Sequence, residues 1–177
     1  MIYFITGNKN KFEEARTIIP NLEQLDIDLP EIQELDSRKI ISEKIKEAFR
    51  HKKGEFVVED TSLSIECLNG LPGPFIKWFL QTIGNEGIYK ITENLGNFNA
   101  EGKVVLGYAK NEKEIHFFEG VQKGKIVPPT FKTNFGWDPI FQPEGSEKSF
   151  AELRAENPAF ESIRKIAFTK LKEFLKK

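Results

Sequence analysis

Four short segments hold the residues that could do chemistry. In Thr6-Gly7-Asn8-Lys9-Asn10-Lys11 a glycine turn leads into a helix-forming stretch. Such a turn presents unpaired backbone N–H groups at the positive end of a helix dipole, a setting that suits a phosphate. Lys11 can add a point charge, and the Thr6 and Asn8 side chains can add hydrogen bonds. The segment is not a Walker A loop, because neither G-x-x-x-x-G-K-[S/T] nor G-x-G-x-x-G occurs. Taken alone it fits a plain strand-to-helix turn with surface lysines even better. Glu59-Asp60-Thr61 sets two acids and a hydroxyl at the end of the apolar run Phe56-Val57-Val58. Hard oxygen ligands where a strand leaves the core are what Mg²⁺ needs when phosphate oxygens of a substrate supply the other ligands. An acidic turn capped by Thr61 is an equal alternative. Adjacent strand residues point to opposite faces, so only one of the two acids should face a given ligand directly. Leu29-Pro30-Glu31-Ile32-Gln33 holds a carboxylate between apolar neighbours. Phe135-Gly136-Trp137-Asp138-Pro139 sets two aromatics around a glycine. These could stack a planar base, with Asp138 accepting from its N–H edge, although by itself the segment reads better as a packed turn with a core tryptophan.

The surrounding pattern supplies elements to position these segments. Ile2–Ile5 is a short apolar run ending in the Gly7 turn, as a buried strand would be. Phe12, Ala15 and Ile19 then recur at helical spacing until Pro20. Leu25–Leu29 reads as a second strand. Asp36 or Ser37 can cap a helix whose apolar face is Ile41, Ile45, Ala48 and Phe49. Pro74 suits the first position of a helix reaching about Ile83, and a further helix is expected over Gly87–Leu95. Lys103–Ala109 and Glu114–Val127 read as an antiparallel pair. Phe160, Ile163, Ala167, Leu171 and Phe174 mark a C-terminal amphipathic helix. Strand-helix alternation followed by a β-ribbon implies a mixed α/β fold, and 177 residues without a linker or repeat imply a single domain over 1–177.

Bulk composition narrows the function classes. With 26 basic and 27 acidic residues the net charge is −1, which gives no global field for nucleic acid or an anionic membrane. Cys67 is the single cysteine, and His51 and His116 are the two histidines, so a structural zinc site or a histidine triad is disfavoured. The N-terminus lacks a signal-peptide pattern, and the apolar stretch Phe75–Leu80 carries Lys77 and is too short to span a bilayer. A cytoplasmic location is expected.

Taken together and in this order, the segments resemble the inosine triphosphate pyrophosphatase family. The match is carried by Thr6-Gly7-Asn8-x-x-Lys11-x-x-Glu14, by Leu29-Pro30-Glu31-Ile32-Gln33, and by Val58-Glu59-Asp60-Thr61-Ser62-Leu63 with Leu71–Phe79. Phe135–Pro143 and Phe150-Ala151-Glu152-Leu153 extend it over nearly the whole chain. The resemblance implies a mixed sheet bent into two lobes, with flanking helices and a central cleft, in a homodimer. It implies hydrolysis of a non-standard purine nucleoside triphosphate (ITP, dITP or XTP) to the monophosphate and pyrophosphate. Thr6 through Lys11, with Lys44, would line the triphosphate, and Thr61 and Lys77 would assist. Glu31 and Asp60 would hold Mg²⁺, with Asp60 also the proton acceptor for the attacking water. Phe135 would stack on the base, while Gly136, Trp137 and Asp138 would shape its pocket.

The chain departs from that pattern near its C-terminus. The family carries a lysine and, five residues on, the His of a Ser-His-Arg that together read the purine 6-oxo group. Here Ser162 and Arg164 match, but Pro158 and Ile163 replace the lysine and the histidine. Arg164 would still offer a planar donor fork to a carbonyl oxygen, with Arg154 or Lys165 as possible helpers. The alternatives are a different or broader base preference, or a module that binds a nucleotide without hydrolysing it.

Overall fold

The computed structural model describes residues 1–131, 133, 135–157 and 159–177. Among the described residues, seven strands form one mixed sheet: β1 (Ile2–Ile5), β2 (Leu22–Leu25), β3 (Glu55–Ile65), β4 (Pro72–Gly73), β5 (Asn99–Asn111), β6 (Glu114–Ile126) and β7 (Phe141–Pro143). Their order is β2-β1-β3-β5-β6-β7, with β4 paired to β3. The described residues also form six α-helices: α1 (Lys9–Ile18), α2 (Ser37–His51), α3 (Ile76–Thr82), α4 (Gly84–Leu95), α5 (Phe150–Glu156) and α6 (Ile163–Leu175). Parallel pairing of β1 with β2 and β3, beside antiparallel pairing of β6 with β7, makes this the mixed α/β fold that the sequence implies.

The chain forms two compact units that interleave along the sequence. The first comprises residues 1–61, 104–120 and 163–177; the second comprises 62–103 and 121–162. In the first unit, Ile5, Leu29, Ile41, Ile45, Ala48, Phe56, Val58, Val105 and Ala109 form one buried cluster. Phe4 meets Phe168 of α6 edge to face at 5.2 Å. The core of the second unit contains an aromatic cluster: Trp137 packs on Phe141 at 5.2 Å, and Phe141 on Phe150 at 4.8 Å.

The register of the parallel strands decides where the chemistry can sit. Ile5 pairs with both Leu25 and Val58, so β1, β2 and β3 are in step at the point where β1 ends. The Thr6–Lys11 turn, the Leu29–Gln33 loop and Glu59-Asp60-Thr61 therefore all follow from one end of these strands, the carboxyl end at which open α/β sheets bind ligands. Thr6 is tied there from both sides of its peptide, its N–H donating to Leu25 O at 3.2 Å and its carbonyl accepting from Gln24 Nε2 at 2.8 Å.

Several boundaries differ from the sequence reading for local reasons. The second strand is Leu22–Leu25 rather than Leu25–Leu29, because pairing ends with β1 at Ile5; Leu29 is buried from a loop. The first of the two middle helices starts at Ile76 behind Phe75, leaving Pro74 in the turn, and the next starts at Gly84 rather than Gly87. Phe160 does not join the C-terminal helix, which starts at Ile163; its ring packs on Phe150 at 5.3 Å. The short helix α5 had no counterpart in the periodicity, yet it is closed by a full capping box between Ser149 and Glu152.

Gly120 reports how tightly α6 seats on the first unit's sheet. A Cβ built there would lie 2.0 Å from the carbonyl oxygen of Ile163. Gly120→Ala must push the start of α6 away, and overpacking of this kind costs about 1–3 kcal/mol. A urea denaturation series should show a lower midpoint at an unchanged slope.

Candidate functional site

The Thr6–Lys11 turn is built by its own side chains. Asn8 caps α1, its Oδ1 accepting from the Lys11 N–H at 3.2 Å, and the Asn8 N–H donates to Thr6 Oγ1 at 3.1 Å. Gly7, Asn8, Lys9 and Asn10 are exposed. The first-turn N–H groups of Lys9 and Asn10 have no intrahelical acceptor. A side chain at Gly7 would collide with Asp26, whose Oδ1 lies 2.9 Å from the position of a Cβ.

Alternation along β3 separates the two acids. Glu59 is buried and accepts four bonds: Oε1 from Thr61 Oγ1 at 2.8 Å, from Lys11 Nζ at 2.9 Å and from Arg164 Nη2 at 3.0 Å, and Oε2 from Arg164 Nε at 2.6 Å. Arg164 Nη1 meets Glu14 Oε2 at 2.6 Å, one helical turn beyond Lys11 on α1. Burial by itself would raise the Glu59 carboxyl, but the charges and donors of Arg164 and Lys11 outweigh it and hold the group well below the usual carboxylate range. Burial likewise works against the Arg164 charge, and Glu59 and Glu14 reverse its effect, so the guanidinium holds its proton more firmly than in water.

Asp60 lies among different neighbours. Its Oδ2 is buried without a hydrogen-bond partner. Burial pushes its carboxyl up to about 6, against the pull of a Ser37 hydrogen bond and the Lys44 charge, with Glu31 and Glu59 adding to the rise. Lys44, from α2, is itself buried and reaches Glu31 Oε1 at 2.5 Å, while the Glu31 side chain is half exposed. Asp36 caps α2 through the Arg38 N–H at 2.9 Å, and so fixes where Ser37 and, two turns on, Lys44 stand.

These donors fit a hard divalent cation. Buried acceptors are normally satisfied, and an orphaned carboxylate oxygen beside a second carboxylate has the chemistry of a magnesium ligand pair that leaves most positions to water and phosphate. Among the described residues no three His, Cys, Asp or Glu side chains group as a ready-made cage.

The second unit holds the aromatic segment. Trp137 is only 7% exposed and belongs to the core around Phe141 and Phe150. Phe135 is half-buried, with the Arg154 guanidinium 4.2 Å from its ring centroid. Arg154 Nε also pairs with Asp138 Oδ2 at 2.9 Å. Gly136 has φ +54°, a conformation that favours glycine, and its carbonyl accepts from Asn85 Nδ2 at 3.1 Å. Lys77 is exposed beside Trp78, 6.0 Å from the ring. Ile163, at the position of the family histidine, is buried; Pro158 lies outside the described residues.

Within the first unit the structure therefore brings Lys11 to Glu59 and Arg164, and Lys44 and Glu31 to Asp60. Within the second it brings Phe135 and Asp138 to Arg154. Arg164, expected to offer its fork to a base, instead has three of its nitrogens on Glu59 and Glu14. Glu14, Ser37 and Asn85 went unread as site residues. Glu14 could have been inferred from its spacing of three from Lys11, which puts both on one helical face; nothing local marked the others.

These features define a class: an α/β protein whose parallel strands deliver a helix-capping turn, two lysines and a split acid pair to one end of its sheet. The chain belongs to the Ham1 family, whose model matches residues 2–174. It is 40% identical over 178 residues to the inosine triphosphate pyrophosphatase of Schizosaccharomyces pombe, covering 98% of this chain and 94% of that protein. It is also 40% identical to the Saccharomyces cerevisiae protein of the same name over 187 residues, 98% and 95% of the two chains. A solved HAM1 protein from Coxiella burnetii shares the fold with a TM-score of 0.83 at 24% identity, over 99% of this chain and 98% of that one. Among the described residues no helix is long and apolar enough to cross a membrane.

The raised Asp60 carboxyl has a measurable consequence in metal-free protein. The folded state holds this proton more tightly than the unfolded chain, whose ordinary value is 3.8, so ionisation costs the fold. That cost is small below about pH 4, grows as pH rises, and is complete above about pH 6, on the order of 3 kcal/mol. In EDTA, Asp60→Asn should be more stable than wild type at pH 7, and the gap should close by pH 4. Denaturation at a series of pH values reads it directly.

Proposed function

We propose that this chain is a Mg²⁺-dependent pyrophosphatase that hydrolyses ITP, dITP and XTP to the monophosphate and pyrophosphate. The observation that carries this reading is the orphaned, buried Asp60 Oδ2 in the same unit as Glu31, Lys44 and the exposed turn bearing Lys11. The names of the relatives at 40% identity support the reaction class.

A triphosphate carries nearly four negative charges, so cationic groups must offset them before a nucleophile can approach phosphorus. Lys11, Lys44 and the first-turn N–H groups of α1 supply that offset, with Thr6, Asn8, Lys9, Asn10, Thr61 and Lys77 contributing further contacts. Asp60 orients the attacking water and accepts its proton. Mg²⁺ held by Glu31 and Asp60 would lower the pKa of a bound water and neutralise phosphate charge. The lysines then stabilise the departing pyrophosphate. In the second unit, Phe135 is proposed to stack on the base, with Gly136, Asp138 and the core residue Trp137 shaping its pocket. The proposal extends to a cytoplasmic homodimer, consistent with the exposure of Leu71, Trp78 and Ile83.

A second reading, a broader base preference, is favoured by one observation: the position of the family histidine is occupied by the buried Ile163. A panel of triphosphates with Mg²⁺ tests both. Pyrophosphate and a monophosphate should appear, with the highest kcat/KM for ITP, dITP or XTP; comparable values across bases would select the second reading. Release of orthophosphate, or no turnover of any nucleotide, would sink both. Asp60→Asn should lower kcat by about 10²–10⁴ while changing triphosphate affinity much less; unchanged turnover would exclude Asp60 as the base.

A further inference from the structure

Arg164 is 5% exposed and joins three elements of the first unit. It stands on α6, binds Glu59 of β3 through Nε and Nη2, and binds Glu14 of α1 through Nη1. Glu59 in turn holds Lys11 Nζ at 2.9 Å, and the Lys11 side chain is the most exposed of the four, at 31%. The contacts run from Glu14 to Arg164 to Glu59 to Lys11, the first three buried and Lys11 reaching towards solvent. Two carboxylates and two cations make the group neutral. Without the guanidinium it would carry one net negative charge beside a turn proposed to receive phosphate, and the buried Glu59 would face Lys11 as its one strong counter-charge.

We propose that Arg164 is a positioning residue for the triphosphate, supplying the counter-charge and the planar fork that let a buried Glu59 hold Lys11 in place without cancelling its charge towards a ligand. This rests on the reading of the Thr6–Lys11 turn as the phosphate site, and it assigns Arg164 a role other than recognition of the base. A planar guanidinium can bond both oxygens of Glu59 and one of Glu14 at once; a lysine ammonium keeps the charge but cannot span the same fork. Loss of the fork should therefore be felt through Lys11, with every ligand that carries a triphosphate and whatever its base.

Inorganic triphosphate, which has no base, separates the two roles. Calorimetric titration of wild type, Arg164→Lys, Lys11→Met and the double variant with inorganic triphosphate should show about a tenfold loss for each single variant, and little further loss when Arg164→Lys is added to Lys11→Met, because coupled residues are not additive. With ITP, GTP and ATP, Arg164→Lys should lower kcat/KM by a common factor. An unchanged affinity for inorganic triphosphate, losses confined to ITP and GTP relative to ATP, or full additivity with Lys11→Met would each overturn the proposal. Should Arg164→Lys fail to fold, the side-chain Nε–H resonance of Arg164 in wild-type protein decides: it should shift with inorganic triphosphate and not with inosine, and the reverse pattern would overturn it. If wild type hydrolyses no nucleotide, the proposed activity falls, while the inorganic-triphosphate titrations still support or overturn the role of Arg164.

Discussion

A carboxylate removed from water must be compensated, and much of the first unit is arranged around that requirement at Glu59. Desolvation of an ion costs several kcal/mol even after relaxation, and only donors with good geometry can recover it. Glu59 receives them from a helix at the C-terminal end of the chain, from a helix near its start and from its own strand. Each partner fixes something else: Arg164 ties α6 to β3, Lys11 ties α1 to it, and Glu14 closes the triangle between the two helices. Glu59 thus converts a cost of burial into a fixed geometry for the turn that precedes α1.

The neighbouring acid shows the opposite solution. Asp60 is one residue away and faces the other side of the strand, where one oxygen finds no donor. Its carboxyl rises because burial is not fully answered, whereas that of Glu59 falls because burial is more than answered. Two adjacent acids with opposed environments let one strand carry both a fixed anion and a carboxyl that holds its proton to higher pH. The alternation that separates them is elementary strand geometry, so the split follows from β3 continuing straight through Glu59-Asp60 to Ile65 instead of ending there.

Much of this was legible from residue types and spacing, and the limits are physical. The Gly7 turn, the Asp36 cap and the acid pair are local signals, read from a few neighbouring residues. The mixed fold was legible from strand-helix alternation followed by a ribbon. The register that puts Ile5 beside both Leu25 and Val58 was not, since parallel pairing joins segments tens of residues apart and leaves no local mark. The planar donor fork of Arg164 is legible from its residue type, but its carboxylate partners lie 105 and 150 residues earlier in the chain, beyond the reach of any window. Ser37 was seen as a possible cap of α2; its hydrogen bond to Asp60 depends on where that helix packs.

The aromatic segment of the second unit sets two rings of similar chemistry in very different surroundings within one turn. Trp137 is committed to the core, as a large ring next to Phe141 and Phe150 would be on burial grounds alone. Phe135, two residues earlier, is only half-buried and carries Arg154 near one ring face. That guanidinium also bonds Asp138, so the acid at the end of the segment orients the cation at its start. The positive φ of Gly136 lets the chain turn between the core tryptophan and the less buried phenylalanine. What distinguishes the two aromatics is therefore which side of that glycine each occupies: burial commits one to the core and leaves the other half-buried beside a guanidinium.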